Sequence, residues 1–154
     1  MNIARKHFIT LVSLLALTVL GSAGQIWAQS LELGVRKNKI INGFEAELRG
    51  DYRESNGVPN RLTAELDHIN IPVGTPIAFC VQDSATLVKT KIGVGKVRRI
   101  AGIPTAEVEL RINDGDFVPR ITVGDKLQAH QSAVAPFRTS PGCGAPLLVS
   151  GSFQ

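Results

Sequence analysis

Thr105-Ala106-Glu107-Val108-Glu109-Leu110-Arg111-Ile112 decides the fold class. Successive side chains of a strand point to opposite faces, so Ala106, Val108, Leu110 and Ile112 share one side while Thr105, Glu107, Glu109 and Arg111 share the other. This is a half-buried strand. The same logic runs through Phe44, Ala46 and Leu48, with Glu45, Glu47 and Arg49 turned to water, and through 61–67, where Leu62, Ala64 and Leu66 oppose Arg61, Thr63, Glu65 and Asp67. Further strands are expected at 75–82, 86–94, 96–101, 117–123, 126–131 and 146–153, punctuated by Ser55-Asn56-Gly57, Asn113-Asp114-Gly115, Val123-Gly124-Asp125 and Pro141-Gly142.

No window of eleven or more residues in the exported part carries a convincing helical stripe. Short strands at this spacing, without helices between them, predict an all-β chain: an antiparallel β-sandwich of immunoglobulin-like type with about eight to nine short strands. Segment 77–81 is apolar on both faces and is the expected central strand. Phe44, Phe79, Phe117 and Phe153 are expected to point inward. Apolar positions are even-numbered up to Leu66 and odd at Ile69, Ile71 and Val73, which predicts a β-bulge near Asp67 and His68. The run 115–127, with Pro-Val-Gly-Thr-Pro at 72–76, resembles small exported β-sandwich domains in architecture alone, and that likeness brings no site with it.

The first 28 residues read as a leader. Arg5 and Lys6 precede an uncharged apolar stretch from Phe8 to Leu20 and then small residues, the order of a secretory signal peptide cleaved after Ala23 or Ala28. The stretch is shorter than the roughly 20 apolar residues a membrane-crossing helix needs, and no second long apolar run follows it. The expected organisation is a signal peptide at 1–28, a linker at 29–39 and the sandwich at 40–154, in a periplasmic or extracellular location.

The whole chain of 154 residues has 17 Lys and Arg against 13 Asp and Glu, a formal net charge of +4. Loss of Arg5 and Lys6 with the leader leaves 15 against 13, or +2, too little to invoke nucleic acid. Cys80 and Cys143 both lie in the exported part, where an even pair closes as a disulfide worth about 4 kcal/mol in the chain-entropy model.

No sequence motif for nucleophilic, metal-dependent or phosphate chemistry is present. The exported part has two histidines, His68 and His130, with His130 read as solvent-facing beside Lys126 and Gln128. Asp114, Asp116 and Asp125 offer hard oxygen ligands of the kind Ca²⁺ takes, against the plainer reading of Asp-Gly as a tight hairpin turn. Lys89, Lys91, Lys96, Arg98 and Arg99 fall in an acid-free window from Ser84 to Ala106 and are read as two strands folded at Gly93-Val94-Gly95. Such a basic hairpin attracts a polyanion, an acidic polysaccharide or an anionic envelope component; the plain alternative is an edge protected by lysine. Arg49-Gly50-Asp51, a tripeptide shared with integrin ligands, reads as the end of a strand. Few aromatic side chains remain for stacking on sugars.

The functional expectation is an exported, non-catalytic binding or envelope-structural module. Two alternatives stand beside it. One is a small secreted hydrolase whose His68 meets Asp67, His130 or a serine in space; the other is a calcium-dependent adhesion domain.

Overall fold

The computed structural model describes residues 29–131 and 141–154. Nine strands run in chain order through the described residues: β1 (Ser30–Ile41), β2 (Phe44–Ser55), β3 (Val58–Asp67), β4 (Pro76–Gln82), β5 (Lys89–Lys96), β6 (Arg98–Ile100), β7 (Ile103–Arg111), β8 (Lys126–Gln131) and β9 (Leu147–Ser152). They form a five-stranded sheet, β1-β2-β3-β7-β6, and a four-stranded sheet, β5-β4-β8-β9. Every pairing is antiparallel. The only regular helical element among the described residues is a 3-10 turn at Ile112–Asp114. The signal peptide expected at 1–28 lies outside the described residues.

The opening alternation is β7. Its register sets Leu62 opposite Leu110, Ala64 opposite Val108 and Leu66 opposite Ala106, so the apolar rows of β3 and β7 fall on one face. That face meets Ile77, Phe79, Leu127 and Val149 of the other sheet, and Leu48, Tyr52, Leu62, Leu66, Ile77 and Phe79 are fully buried between them. Full burial of such a side chain contributes about 1.5–3 kcal/mol. Segment 77–81 is indeed buried throughout, with Ile77, Phe79 and Val81 in the core and Ala78 and Cys80 covered on the opposite side.

The two sheets approach each other tightly where β5 crosses β7. An ideal Cβ on Gly93 would lie 2.6 Å from a Val108 methyl, and one on Gly95 would lie 2.5 Å from the Glu107 carbonyl oxygen. These glycines therefore permit a close approach between sheets, inside β5, and do not make the hairpin turn expected at 93–95. The chain instead changes sheets at buried Val97, so β5 pairs with β4 while β6 pairs with β7.

Several other expectations change. Residues 30–41, read mostly as a linker, form a twelve-residue strand paired with β2 along its length. It is joined through Asn42-Gly43, both at positive φ (48° and 82°), the backbone a two-residue hairpin turn requires. Segment 117–123 forms no strand: Pro119 has no N–H to give a ladder, and Val118 and Ile121 are buried as loop anchors. Phe117 and Phe44 are 80% and 59% exposed, whereas Phe79 and Phe153 are buried as expected. The parity slip at Asp67 and His68 is no bulge within a strand. β3 ends at Asp67, and His68 takes a left-handed φ of 55° that resets the inward positions for buried Ile69 and Ile71. Gly50 sits mid-strand in β2, tight against Leu127 and Val35, so Arg49-Gly50-Asp51 is sheet and not a loop tip.

Candidate functional site

The outer faces of the two sheets differ in charge chemistry. On the five-stranded sheet, acids and arginines alternate and pair across strands. Arg36 meets Glu47 at 2.8 Å, Arg61 meets Glu109 at 2.7 Å, Arg111 meets Glu109 at 2.8 Å, and Arg98 pairs with Glu107. Arg49 joins Glu65 at 3.0 Å and also binds buried Asp67. Burial raises the Glu65 carboxyl above its usual range, against the pull of Arg49. This face is charge-balanced, and its exposed pairs each contribute little stability.

The four-stranded sheet has no Asp or Glu in any strand: Pro76–Gln82, Lys89–Lys96, Lys126–Gln131 and Leu147–Ser152 contain lysine as their only acid or base besides His130. Register places the lysines. Gln82 is paired with Lys89 on one side and Lys126 on the other, and Cys80 with Lys91 on one side and Gln128 on the other. Paired residues share a face, and Phe79 and Val81 hold the inner one, so Lys89, Lys91 and Lys126 project outward together. Adjacent strands lie about 4.8 Å apart, which sets Lys89 and Lys126 roughly 10 Å from each other across Gln82. Lys96 stands at the far end of β5, opposite Pro76. All four lysines are exposed, and among the described residues none forms an ion pair.

The expected cluster Lys89, Lys91, Lys96, Arg98 and Arg99 is therefore divided. Arg98 and Arg99 belong to β6 on the other sheet, where Arg98 is held by Glu107 and Arg99 donates to the Gly102 carbonyl at 3.0 Å. Lys126 takes their place, a residue that no reading of window 84–106 includes.

A strap covers the middle of the lysine face. Cys143 is bonded to Cys80, with Cα atoms 5.9 Å apart, and residues 141–146 lie over the outer side of β4 and β8. A buried disulfide is the mark of an oxidising, exported environment, and no helix among the described residues is long and apolar enough to cross a membrane. Under the strap, His130 is 1% exposed, a correction to its solvent-facing reading. It shares the face of Lys126 and Gln128 as alternation indicates, but the strap closes over it. Its Nδ1 donates to the Ala145 carbonyl at 2.7 Å, and its Nε2 lies 3.2 Å from Gln128 Oε1. Gln128 Nε2 donates to Gln82 Oε1 at 3.0 Å, and Gln82 Nε2 to the Leu87 carbonyl at 3.3 Å. Burial lowers the His130 pKa, and nearby Lys89 lowers it further, against the Ala145 hydrogen bond.

The three aspartates considered for calcium are not gathered. Both oxygens of buried Asp125 accept backbone N–H groups, Ser84 and Thr122, each at 2.8 Å. Asp116 accepts from the Arg111 amide at 3.0 Å, and Asp114 lies in the 3-10 turn. No group of three or more His, Cys, Asp and Glu suited to a metal occurs among the described residues.

His68 does meet Asp67, with Nδ1 2.7 Å from Oδ1, at the edge of the arginine network. His130 lies on the other sheet, so the two histidines do not converge. No Ser or Thr hydroxyl among the described residues bonds His68.

No protein-family model, curated protein sequence or solved structure matches the chain.

Proposed function

We propose that this is an exported binding module, periplasmic or extracellular, that engages a polyanion, an acidic polysaccharide or anionic envelope component, through the outer face of β5-β4-β8-β9. One observation carries the reading: a sheet with no carboxylate in its strands, presenting Lys89, Lys91 and Lys126 together, beside a sheet whose arginines, Arg99 excepted, are ion-paired with acids. Lysines aligned on one face sum their fields, and unpaired ammonium groups have no internal bond to surrender when an anion arrives.

We further propose the immunoglobulin-like type. The orders β2-β3-β7-β6 and β5-β4-β8-β9 support it, since they follow the ABED and C′CFG arrangement with β1 added at one edge. The bridge from β4 to the segment before β9 departs from the usual disulfide between strands B and F.

The test is retention on immobilised heparin. Lys89→Glu with Lys126→Glu is expected to abolish retention, while Arg99→Glu, on the other sheet, leaves it. Equal retention of both variants and the wild type contradicts the assignment.

A further inference from the structure

His130 is buried yet surrounded by a hydrogen-bond chain of fixed direction. The Leu87 carbonyl only accepts, so it fixes the Gln82 amide nitrogen; the Gln82 oxygen then accepts from Gln128, whose own oxygen is left facing His130 Nε2. At Nδ1 the ring faces a second oxygen, the Ala145 carbonyl. Neutral imidazole has one N–H and satisfies one of these acceptors; imidazolium has two and satisfies both. The site thus has a place for a second proton. What opposes that proton is burial and the positive field of Lys89.

Among the described residues, the strands and strap around His130 carry charge of one sign. β5 supplies Lys89 and Lys91, β8 supplies Lys126, β4 and β9 supply none, and the strap residues 141–146 carry only the disulfide-bonded Cys143. Asp83, in the turn after β4, is occupied by the amides of Ala85 and Thr86.

Resting on the polyanion reading, we propose that His130 makes this face proton-linked: an anion bound by Lys89, Lys91 and Lys126 favours imidazolium at His130, and protonation of His130 strengthens anion binding. An anion over Lys89 offsets the repulsion that opposes the proton, and the two acceptors already in place receive it. Coupling between binding free energies is reciprocal, so each ligand strengthens the other by the same factor.

Heparin suits the test because its sulfates do not titrate across the histidine range. Calorimetry at about pH 5 and about pH 8, at one ionic strength, is expected to show wild-type affinity on the order of 5-fold higher in acid. His130→Gln should flatten that dependence and His68→Gln should keep it. A reciprocal measurement needs no variant: saturating heparin should raise the midpoint of the His130 imidazole titration followed by NMR. Wild-type binding equal at both pH values, a His130→Gln protein with undiminished pH dependence, or an unmoved His130 midpoint overturns the linkage while leaving the polyanion reading intact. Absence of heparin binding at either pH overturns both.

Discussion

The carbonyl oxygen of Glu107 lies 2.5 Å from where a Cβ on Gly95 would stand, and the obstruction is backbone. A methyl group there has to push β5 away from β7, and overpacking of this kind costs about 3 kcal/mol. Gly95→Ala should therefore lower the urea midpoint sharply. Gly93→Ala, which meets the Val108 side chain, should cost less, because that side chain moves more easily than the main chain. Gly142→Ala, with nothing among the described residues within 4 Å, should leave chemical denaturation unchanged within about 0.5 kcal/mol.

Cys80 and Cys143 close a loop spanning 63 positions. The pair Cys80→Ala with Cys143→Ala is expected to lose about 4 kcal/mol relative to the oxidised wild type. The loss should disappear when the wild type is measured under reducing conditions, since both chains then lack the crosslink.

Tyr52 is the sole tyrosine of the chain. Burial, together with its hydrogen bond to Glu54 Oε2, pushes its phenol up to about 12 from the usual 10.0. The folded state holds this proton more tightly than the unfolded one, so the contribution is full below pH 10 and is lost as pH climbs toward 12. Ultraviolet titration of the phenol should show a midpoint near 12 in the folded protein and near 10 in strong denaturant. A midpoint near 10 in both would mean that Tyr52 is not enclosed.

Asp125 holds two loops together through the amides of Ser84 and Thr122. Asp125→Ala strands two donors, and each buried donor left unsatisfied costs about 1–3 kcal/mol. Millimolar Ca²⁺ should neither restore this loss nor raise the wild-type melting temperature. A calcium-dependent rise removed by Asp114→Ala would instead favour the adhesion alternative.

Much of the fold was legible because alternation records which side chains are buried. Segments 105–111, 61–67 and 77–81 read correctly as strands, although Ile112, expected inward at the end of the first, instead opens the 3-10 turn and is exposed; the cysteine pair was found from its number and compartment. β1 was missed because its second half is polar on both faces: Lys37 and Lys39 occupy inward-parity positions at an edge, where Lys39 reaches the Leu148 carbonyl at 2.6 Å. Asn42-Gly43 between Ile41 and Phe44 was the available hairpin signal. The lysine face was read only in part, because nearness in sequence does not say which sheet a strand joins. A single buried residue, Val97, sends the chain across, separating Arg98 and Arg99 from Lys89 and Lys91, while Lys126 arrives through register with Gln82. His130 faced the side that alternation indicated, but its cover depends on a distant cysteine.

The most direct test of the anion face is the salt dependence of heparin affinity. The account predicts a linear fall of log K with log salt, with a slope that shrinks by about one for each of Lys89→Ala, Lys91→Ala and Lys126→Ala, as counterion release by a cation requires. A slope that is flat, or that these substitutions leave unchanged while Arg98→Ala or Arg99→Ala reduces it, would contradict the account.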